Sequence, residues 1–139
     1  MKVVNAKPPM FEEIAAAFPL AHSPGVIFCW GDTIYAPGGG EIGPELHAHE
    51  QVHCERQGAD VAGWWARYIA DERFRLLEEF PAHVAELATR LRLERGRWVS
   101  DRAMRRVIGS QVARKLAAPL YGEMLTVDDA RDLLLKAVA

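Results

Sequence analysis

The residues with the clearest potential for chemistry are two histidines that stand four positions apart, His49 and His53, with Glu50 directly after the first. On an α-helix, residues four apart lie on one face with Cβ atoms about 5 to 6 Å apart, so both imidazoles can bind one zinc ion. Glu50 is placed to accept a proton from a water molecule that the metal activates. The motif therefore predicts a zinc site with His49 and His53 as ligands and Glu50 as the catalytic base.

A catalytic zinc ion usually has three protein ligands, and its fourth position is left for water or substrate. A downstream segment offers two adjacent glutamates and a histidine as candidates for the third ligand, namely Glu78, Glu79 and His83. His47 is a weaker candidate, because residues two apart on a helix project to opposite sides. The residues alone leave the choice of third ligand open.

Glycine, proline and capping residues predict the helices that must carry these side chains. Pro44 at a first helical position and Gly58 as a stop frame a helix over residues 44–57, which contains the motif. Asp71 can cap a longer helix that contains the second segment, and Pro81 should bend it because proline removes a backbone donor. Further helices are predicted before Pro19 and after the caps Asp60, Ser100 and Thr126.

Strand-forming residues are confined to one region. Residues 26–30 and 33–35 flank a Gly-Asp turn and predict a β-hairpin, which should be the only sheet element. With 139 residues, of which 50% are hydrophobic, the chain should form a single domain over residues 1–139. The predicted fold class is α+β and mostly helical.

Charge and cysteine content exclude several classes of protein. The net charge of −2 provides no general case for binding nucleic acid or an anionic membrane. The N-terminus lacks an apolar core of signal-peptide length, and no segment approaches the roughly 20 apolar residues of a membrane span, which predicts a cytoplasmic protein. In that compartment Cys29 and Cys54, the two cysteines, are expected to be reduced thiols.

Basic residues are concentrated in one part of the chain. Residues 90–115 carry nine Arg or Lys against Glu94 and Asp101, a balance of +7, whereas six basic and 13 acidic residues give residues 1–89 a balance of −7. This asymmetry predicts a docking face for an acidic protein partner. A nucleic-acid contact through the helix at 101–116 is less favoured, because no aromatic residues interleave with its arginines.

The segment at Glu79–Ala82 resembles the Glu-x-x-Ala segment of the glutamate-type zincins, or gluzincins, in which a second helix provides the third zinc ligand. The layout of HEQVHCERQG, GWWARYIADERFRLLEEFPAH and APLYGEML is similar to small zincin-like proteins encoded by phages and prophages. The resemblance implies a minimal zincin-like fold with the hairpin packed beside the motif helix. It also implies His49, His53 and Glu79 as ligands, Glu50 as base, and Glu78 as ligand if the helix phase is shifted by one residue.

Two roles stay open within this resemblance. In larger gluzincins a carboxylate four residues after the ligand glutamate often supports a ligand histidine, whereas this sequence has His83 there. His83 is expected either to act as such a supporting partner or to stabilise the oxyanion of the reaction. The hairpin is expected either to pair with an extended peptide substrate or to form a lid over the metal.

The leading prediction for function is a zinc-dependent peptidase that hydrolyses peptide bonds. Two alternatives belong to other classes of protein. One is a non-catalytic zinc-binding protein of a phage-type assembly, which would make the protein virion-associated. The other is a nucleic-acid adaptor that uses the basic helix at 101–116.

Overall fold

Six α-helices and a small three-stranded sheet make up the chain in the computed structural model, which describes all residues from 1 to 139. Helices account for 63% of the residues, so the prediction of an α+β, mostly helical fold is confirmed. None of the six helices combines the length with the apolar surface that a bilayer crossing requires. In chain order the elements are β1 (Lys2–Val4), α1 (Phe11–Ala17), a 3-10 helix (Pro19–His22), β2 (Phe28–Trp30), β3 (Thr33–Tyr35), α2 (Pro44–Gln57), α3 (Val61–Ala70), α4 (Glu72–Glu94), α5 (Asp101–Leu116), a second 3-10 helix (Pro119–Tyr121) and α6 (Val127–Ala137).

Side-chain caps confirm four of the predicted helix starts. Asp60 and Asp71 accept hydrogen bonds from first-turn amides of α3 and α4, and Ser100 and Thr126 do the same for α5 and α6. Each cap satisfies an amide for which the helix itself offers no acceptor. Pro81 lies inside α4, which continues through it as a single helix.

The sheet contains one strand that the sequence did not predict. β2 and β3 form the expected antiparallel hairpin, but β1 pairs in parallel with β3 and gives the strand order β1-β3-β2. The prediction that the hairpin is the only sheet element is therefore wrong. A strand of three residues is too short to show an alternating pattern, and the pairing of Val3 with Ile34 depends on a partner far along the chain.

Two apolar clusters stabilise the fold. The front cluster joins α1, the first 3-10 helix, β2 and α3, and the rear cluster joins α4, α5 and α6. α4 packs against α2, α3, α5 and α6, so it connects the two regions. The buried members are Phe11, Ile14, Ala15, Ala21, Phe28, Trp64, Trp65 and Tyr68 in front, and Leu87, Leu91, Met104, Ile108, Val112, Ala113, Leu116, Ala130 and Leu134 at the rear.

A disulfide joins the hairpin to α2. Cys29 of β2 and Cys54 of α2 are bonded with their Cα atoms 5.8 Å apart, a separation that disulfides commonly show. The expectation of two reduced thiols is therefore wrong, because the packing of β2 on α2 brings together cysteines that lie 25 residues apart in sequence. Gln57 holds the same contact, since its Nε2 donates to the Cys29 carbonyl oxygen at 2.8 Å and its Oε1 accepts from the Gly31 N–H at 2.9 Å. The hairpin is thus packed beside the motif helix, as predicted.

Candidate metal centre

Three side chains from two helices converge on one point. His49 and His53 of α2 present their Nε2 atoms 3.1 Å apart, and the Glu79 carboxylate of α4 lies 3.2 Å from His49 Nε2 and 3.3 Å from His53 Nε2. All three residues are buried, with exposed fractions of 8%, 5% and 5%. These side chains, called the metal cluster below, could hold one metal ion.

The helices explain why Glu79 belongs to the metal cluster and its neighbour Glu78 does not. α2 has the predicted bounds, so its two histidines stand one turn apart on the face that packs along α4. The Glu78 carboxylate points to another residue of α2, where it accepts hydrogen bonds from Arg56 Nε at 2.8 Å and Arg56 Nη2 at 2.9 Å. The structure therefore brings Glu79, and not Glu78, to the histidines.

The chemistry of the three groups fits a cation. Neutral imidazole nitrogens and carboxylate oxygens are acceptors, and acceptors this close together need a proton or a positive ion between them. His83 Nε2, which lies 3.6 Å from Glu79 Oε2, is buried and has no hydrogen-bond partner. A buried polar atom without a partner is rare in proteins and is one sign of a site for an ion or water.

Tyr68 holds the Glu79 carboxylate from the side of α3. Its hydroxyl donates a hydrogen bond to Glu79 Oε1 with an O–O distance of 2.5 Å, and the tyrosine is 7% exposed. Arg75 fixes the end of α3, because its Nη1 donates to the Tyr68 carbonyl oxygen at 2.7 Å. These contacts restrict the rotation of the Glu79 side chain.

Glu86 supports two histidines from the side away from Glu79. Its Oε2 lies 2.7 Å from His83 Nδ1 and 3.4 Å from His49 Nδ1, while its other oxygen pairs with the ammonium group of Lys115 on α5. A carboxylate next to Nδ1 orients the imidazole ring and favours a free Nε2. Glu86, which is 1% exposed, thus shares a hydrogen bond with His83 Nδ1, whereas its approach to His49 Nδ1 is a contact between charged groups without a hydrogen bond.

His83 lies in the site, and its two expected roles, support of a ligand and stabilisation of an oxyanion, stay predictions. The carboxylate that supports His49 comes from Glu86, two helical turns after Glu79, rather than from the position four residues after it. His83 instead packs against His49, with 4.5 Å between the ring centroids, and burial lowers the pKa of its imidazole. Its free Nε2 faces the Glu79 carboxylate.

Burial and neighbouring charges shift the pKa values of these groups in opposite directions. Burial raises the pKa of the Glu50 carboxyl above its usual range. Burial has the same tendency for Glu79, but His53 and His49 outweigh it and hold the pKa of that carboxyl well below its usual range. Burial lowers the pKa of His49, yet its contacts with the Glu79 and Glu86 carboxylates outweigh that effect and raise it to about 10. Without a metal, Glu79 is therefore anionic at neutral pH and His49 holds a proton, which a bound metal ion would have to displace.

A cavity of about 420 Å³ lies beside the metal cluster. Glu50, which is 7% exposed, lines it together with His49, His53 and Glu79. The remaining wall comes mainly from apolar residues of α1, the first 3-10 helix, the hairpin and α3. The arrangement places space for a ligand directly next to metal-binding atoms and a buried carboxylate.

The basic region at residues 90–115 lies mostly at the surface and does not contribute to the metal cluster. Lys115 is the one basic residue of this region that reaches the site, because its ammonium group pairs with the Glu86 carboxylate. Arg90 donates to Gln111 and Arg105 donates to the Leu135 carbonyl oxygen, so some of these side chains stabilise the rear helices. The acidic partner expected for this surface stays a prediction.

Three supporting residues were not identified from sequence: Tyr68, Glu86 and Lys115. Glu86 had one available signal, because positions seven apart share a helix face and Glu79 and Glu86 have that spacing. Tyr68 and Lys115 had none, since their roles depend on how α3 and α5 pack against α4. Sequence reasoning therefore identified the candidate ligands but missed the residues that orient them.

Comparisons of this chain with protein-family models, with curated proteins and with solved structures find no match. The resemblance to gluzincins thus stays a prediction from the motif residues and their spacing. The geometry of the metal cluster and of the cavity is the basis for a functional assignment.

Proposed function

We propose that the protein is a zinc-dependent peptidase whose zinc ligands are His49, His53 and Glu79. When bound, zinc supplies a Lewis acid that polarises the scissile carbonyl and lowers the pKa of water towards about 7. Three protein ligands leave a fourth position open, which is the usual arrangement in catalytic zinc sites. The proposal deepens the coarser finding that this group of side chains could hold a metal ion.

The observation that carries the proposal is the spacing of the two histidine Nε2 atoms and the Glu79 carboxylate. The two Nε2 atoms lie 3.1 Å apart, and the Glu79 carboxylate approaches them with different oxygens, Oε2 at 3.2 Å from His49 and Oε1 at 3.3 Å from His53. Each distance is close to the roughly 3.3 to 3.4 Å that tetrahedral bonds of about 2.0 to 2.1 Å imply. Two imidazoles and one carboxylate suit zinc better than calcium or magnesium, which prefer oxygen ligands. The donor set and the spacing therefore support the same metal.

Glu50 is the proposed general base. It follows a proposed ligand directly, is buried and lines the cavity in which a substrate carbonyl would lie. A carboxylate there can accept a proton from the attacking water and pass it to the leaving amine. Glu86 and Tyr68 keep the ligands in position while this proton moves.

Elemental analysis of the purified protein tests the metal site. We expect about one zinc per chain in the wild type, loss of zinc in Glu79→Ala and retention in Glu78→Ala. The two variants form a matched pair, because both remove a buried glutamate from the same turn of α4. Zinc that survives in Glu79→Ala but not in Glu78→Ala would contradict the ligand assignment, and a wild type without stoichiometric zinc would refute the proposal.

Hydrolysis of a mixed peptide library tests the reaction. Glu50→Gln should retain zinc and lower the rate by about 10²- to 10⁴-fold, because it removes the base and leaves the ligands in place. Glu55→Gln is the control, since Glu55 is an exposed glutamate of the same helix. Equal activity of the Glu50→Gln variant and the wild type would exclude Glu50 as the base.

One observation favours a second candidate, a zinc site that is purely structural. His83 Nε2 is unpartnered and lies 3.6 Å from Glu79 Oε2, so it could supply a fourth protein ligand and close the site. In that case His83→Ala would weaken zinc binding as strongly as His53→Ala does, and the wild type would hydrolyse no peptide. In a peptidase, His83→Ala should lose far less zinc than His53→Ala.

A further inference from the structure

The cavity beside the metal cluster is strongly apolar away from the proposed reaction centre. Fifteen of its 23 lining residues are hydrophobic. Transfer of an apolar group from water into the cavity is therefore favourable in free energy, whereas a water molecule finds few hydrogen-bond partners there. Its volume of about 420 Å³ exceeds that of any single side chain. Such a cavity next to a proposed peptidase centre can accept a large part of a substrate.

The charged groups of the cavity wall are confined to one end. They are the metal cluster, Glu50, His83 and the Glu86–Lys115 pair. The wall that residues 14–29 contribute carries no charged side chain; it consists of Ile14, Phe18, Leu20, Ala21 and residues 26–29. A charged substrate side chain placed there would lose its hydration without finding a partner.

The hairpin edge next to the cavity is already engaged in hydrogen bonds. β2 is an edge strand, but the Cys29 carbonyl oxygen accepts from Gln57 Nε2 at 2.8 Å and from Trp65 Nε1 at 3.1 Å. The Gly31 N–H donates to Gln57 Oε1 at 2.9 Å. An extended peptide that added to this edge would have to displace these contacts, so strand pairing at Cys29 and Gly31 is disfavoured.

We infer that the protein recognises its substrate through a bulky aliphatic or aromatic side chain, which inserts into the apolar cavity beside the metal cluster, and not through strand addition at β2. This inference rests on the proposed peptidase function, because it places that side chain next to the scissile bond. Leu20, which is 74% exposed and lines the cavity, forms part of its entrance. The substrate class is peptides whose residue next to the scissile bond, the one that enters the cavity, is Leu or Phe. Peptides with Asp at that residue are excluded.

The binding test uses three hydroxamates that share a zinc-binding group and differ in side chain: N-acetylphenylalanine, N-acetylglycine and N-acetylaspartate hydroxamate. Calorimetry on the zinc-loaded protein should show binding of the phenylalanine compound about 10- to 100-fold tighter than that of the glycine compound, with the aspartate compound weakest. Equal affinities, or tightest binding of the aspartate compound, would overturn the inference.

A variant at the entrance locates the effect. Leu20→Asp should weaken binding of the phenylalanine hydroxamate by about 3- to 10-fold and keep the zinc content, because it places a charge at the apolar wall. Leu133→Asp is the matched control: Leu133 is 45% exposed on α6 and does not line the cavity, so its affinities should equal those of the wild type. An unchanged affinity in Leu20→Asp would contradict binding in this cavity.

The outcomes separate this inference from the proposed function. Hydrolysis without a preference for apolar side chains would overturn the inference and leave the peptidase intact. Selective binding of the phenylalanine hydroxamate without hydrolysis of any peptide would support the binding of apolar side chains in the cavity and would refute the proposed peptidase activity. If no zinc binds, N-acetylphenylalanine amide and N-acetylglycine amide, which need no metal, test the cavity by NMR titration, and equal shifts with both would overturn the inference.

Discussion

The two ends of α4 are buried for opposite reasons. As far as Glu86 the buried face carries mainly ionisable side chains, among them Glu79, His83 and Glu86, whereas after it Leu87 and Leu91 pack into the rear cluster. Burial of the leucines is favourable by itself, because it removes apolar surface from water. Burial of the polar groups is unfavourable unless each is paired or bound to a metal. The rear cluster therefore provides stability, which offsets the cost of burying the polar side chains of the metal cluster.

The region around the site has its own means of support. The front cluster contains eight buried residues, but the hairpin that covers the site consists of two strands of only three residues each. Such a short hairpin is marginal without additional contacts. The Cys29–Cys54 disulfide and the two hydrogen bonds of Gln57 supply them.

The largest expected effect on stability comes from the rear end of α4. Leu87→Ala removes a side chain that is 0% exposed and should lower the free energy of unfolding by about 2 to 5 kcal/mol. The zinc content of the folded variant should equal that of the wild type. Leu77→Ala is the control, because Leu77 is 59% exposed on the same helix and should cost less than about 0.5 kcal/mol. Similar urea unfolding curves for the two variants would contradict the contrast between the ends of α4.

Reduction of the disulfide should have the next largest effect. A closed loop of the 25-residue separation between Cys29 and Cys54 corresponds to about 3.5 kcal/mol of stabilisation, mainly through the unfolded chain. Urea unfolding with and without a reducing agent measures this difference. The double variant Cys29→Ala/Cys54→Ala should unfold identically under both conditions, whereas a wild type that ignores the reducing agent would show that the bond adds no stability.

Glu86→Gln should affect metal binding more than folding. The variant keeps the shape of the side chain but removes the charge that orients His49 and His83, so zinc affinity should fall by about 10- to 100-fold. Competition with a chromophoric chelator measures the affinity. Glu72→Gln, at an exposed position of the same helix, should bind zinc like the wild type. Equal affinities for both variants would show that Glu86 does not position the ligands.

The smallest effect is expected at a helix cap of the rear region. Thr126→Ala removes the hydroxyl that accepts from the Asp129 N–H and should lower the free energy of unfolding by about 1 kcal/mol. Thr126→Ser keeps that hydroxyl and should retain most of the stability. Neither variant should change zinc affinity, and a change in Thr126→Ala would mean that the rear region is coupled to the metal cluster.

Much of the fold could be predicted because its signals are local. The bounds of α2, the caps of four helices and the fold class follow from residues within a few positions of each other, such as Pro44, Gly58 and Ser100. β1 was missed because three residues carry too little pattern. The disulfide was missed because the compartment argument for reduced thiols says nothing about how close Cys29 and Cys54 lie in space.

The candidate site divides in the same way. The spacing of His49, Glu50 and His53 is sufficient to put two imidazoles on one face of one helix, since helical geometry is a property of the local chain. Three features arise only where α2, α4 and the hairpin pack against each other. They are the approach of Glu79, and not Glu78, to the histidines, the contacts of Glu86, and the hydrogen bonds that occupy the Cys29 carbonyl oxygen on the edge of β2. Such contacts depend on residues far apart in sequence. The rotation of each helix about its axis is determined by how its side chains pack against all neighbouring elements, and the local sequence does not specify those neighbours.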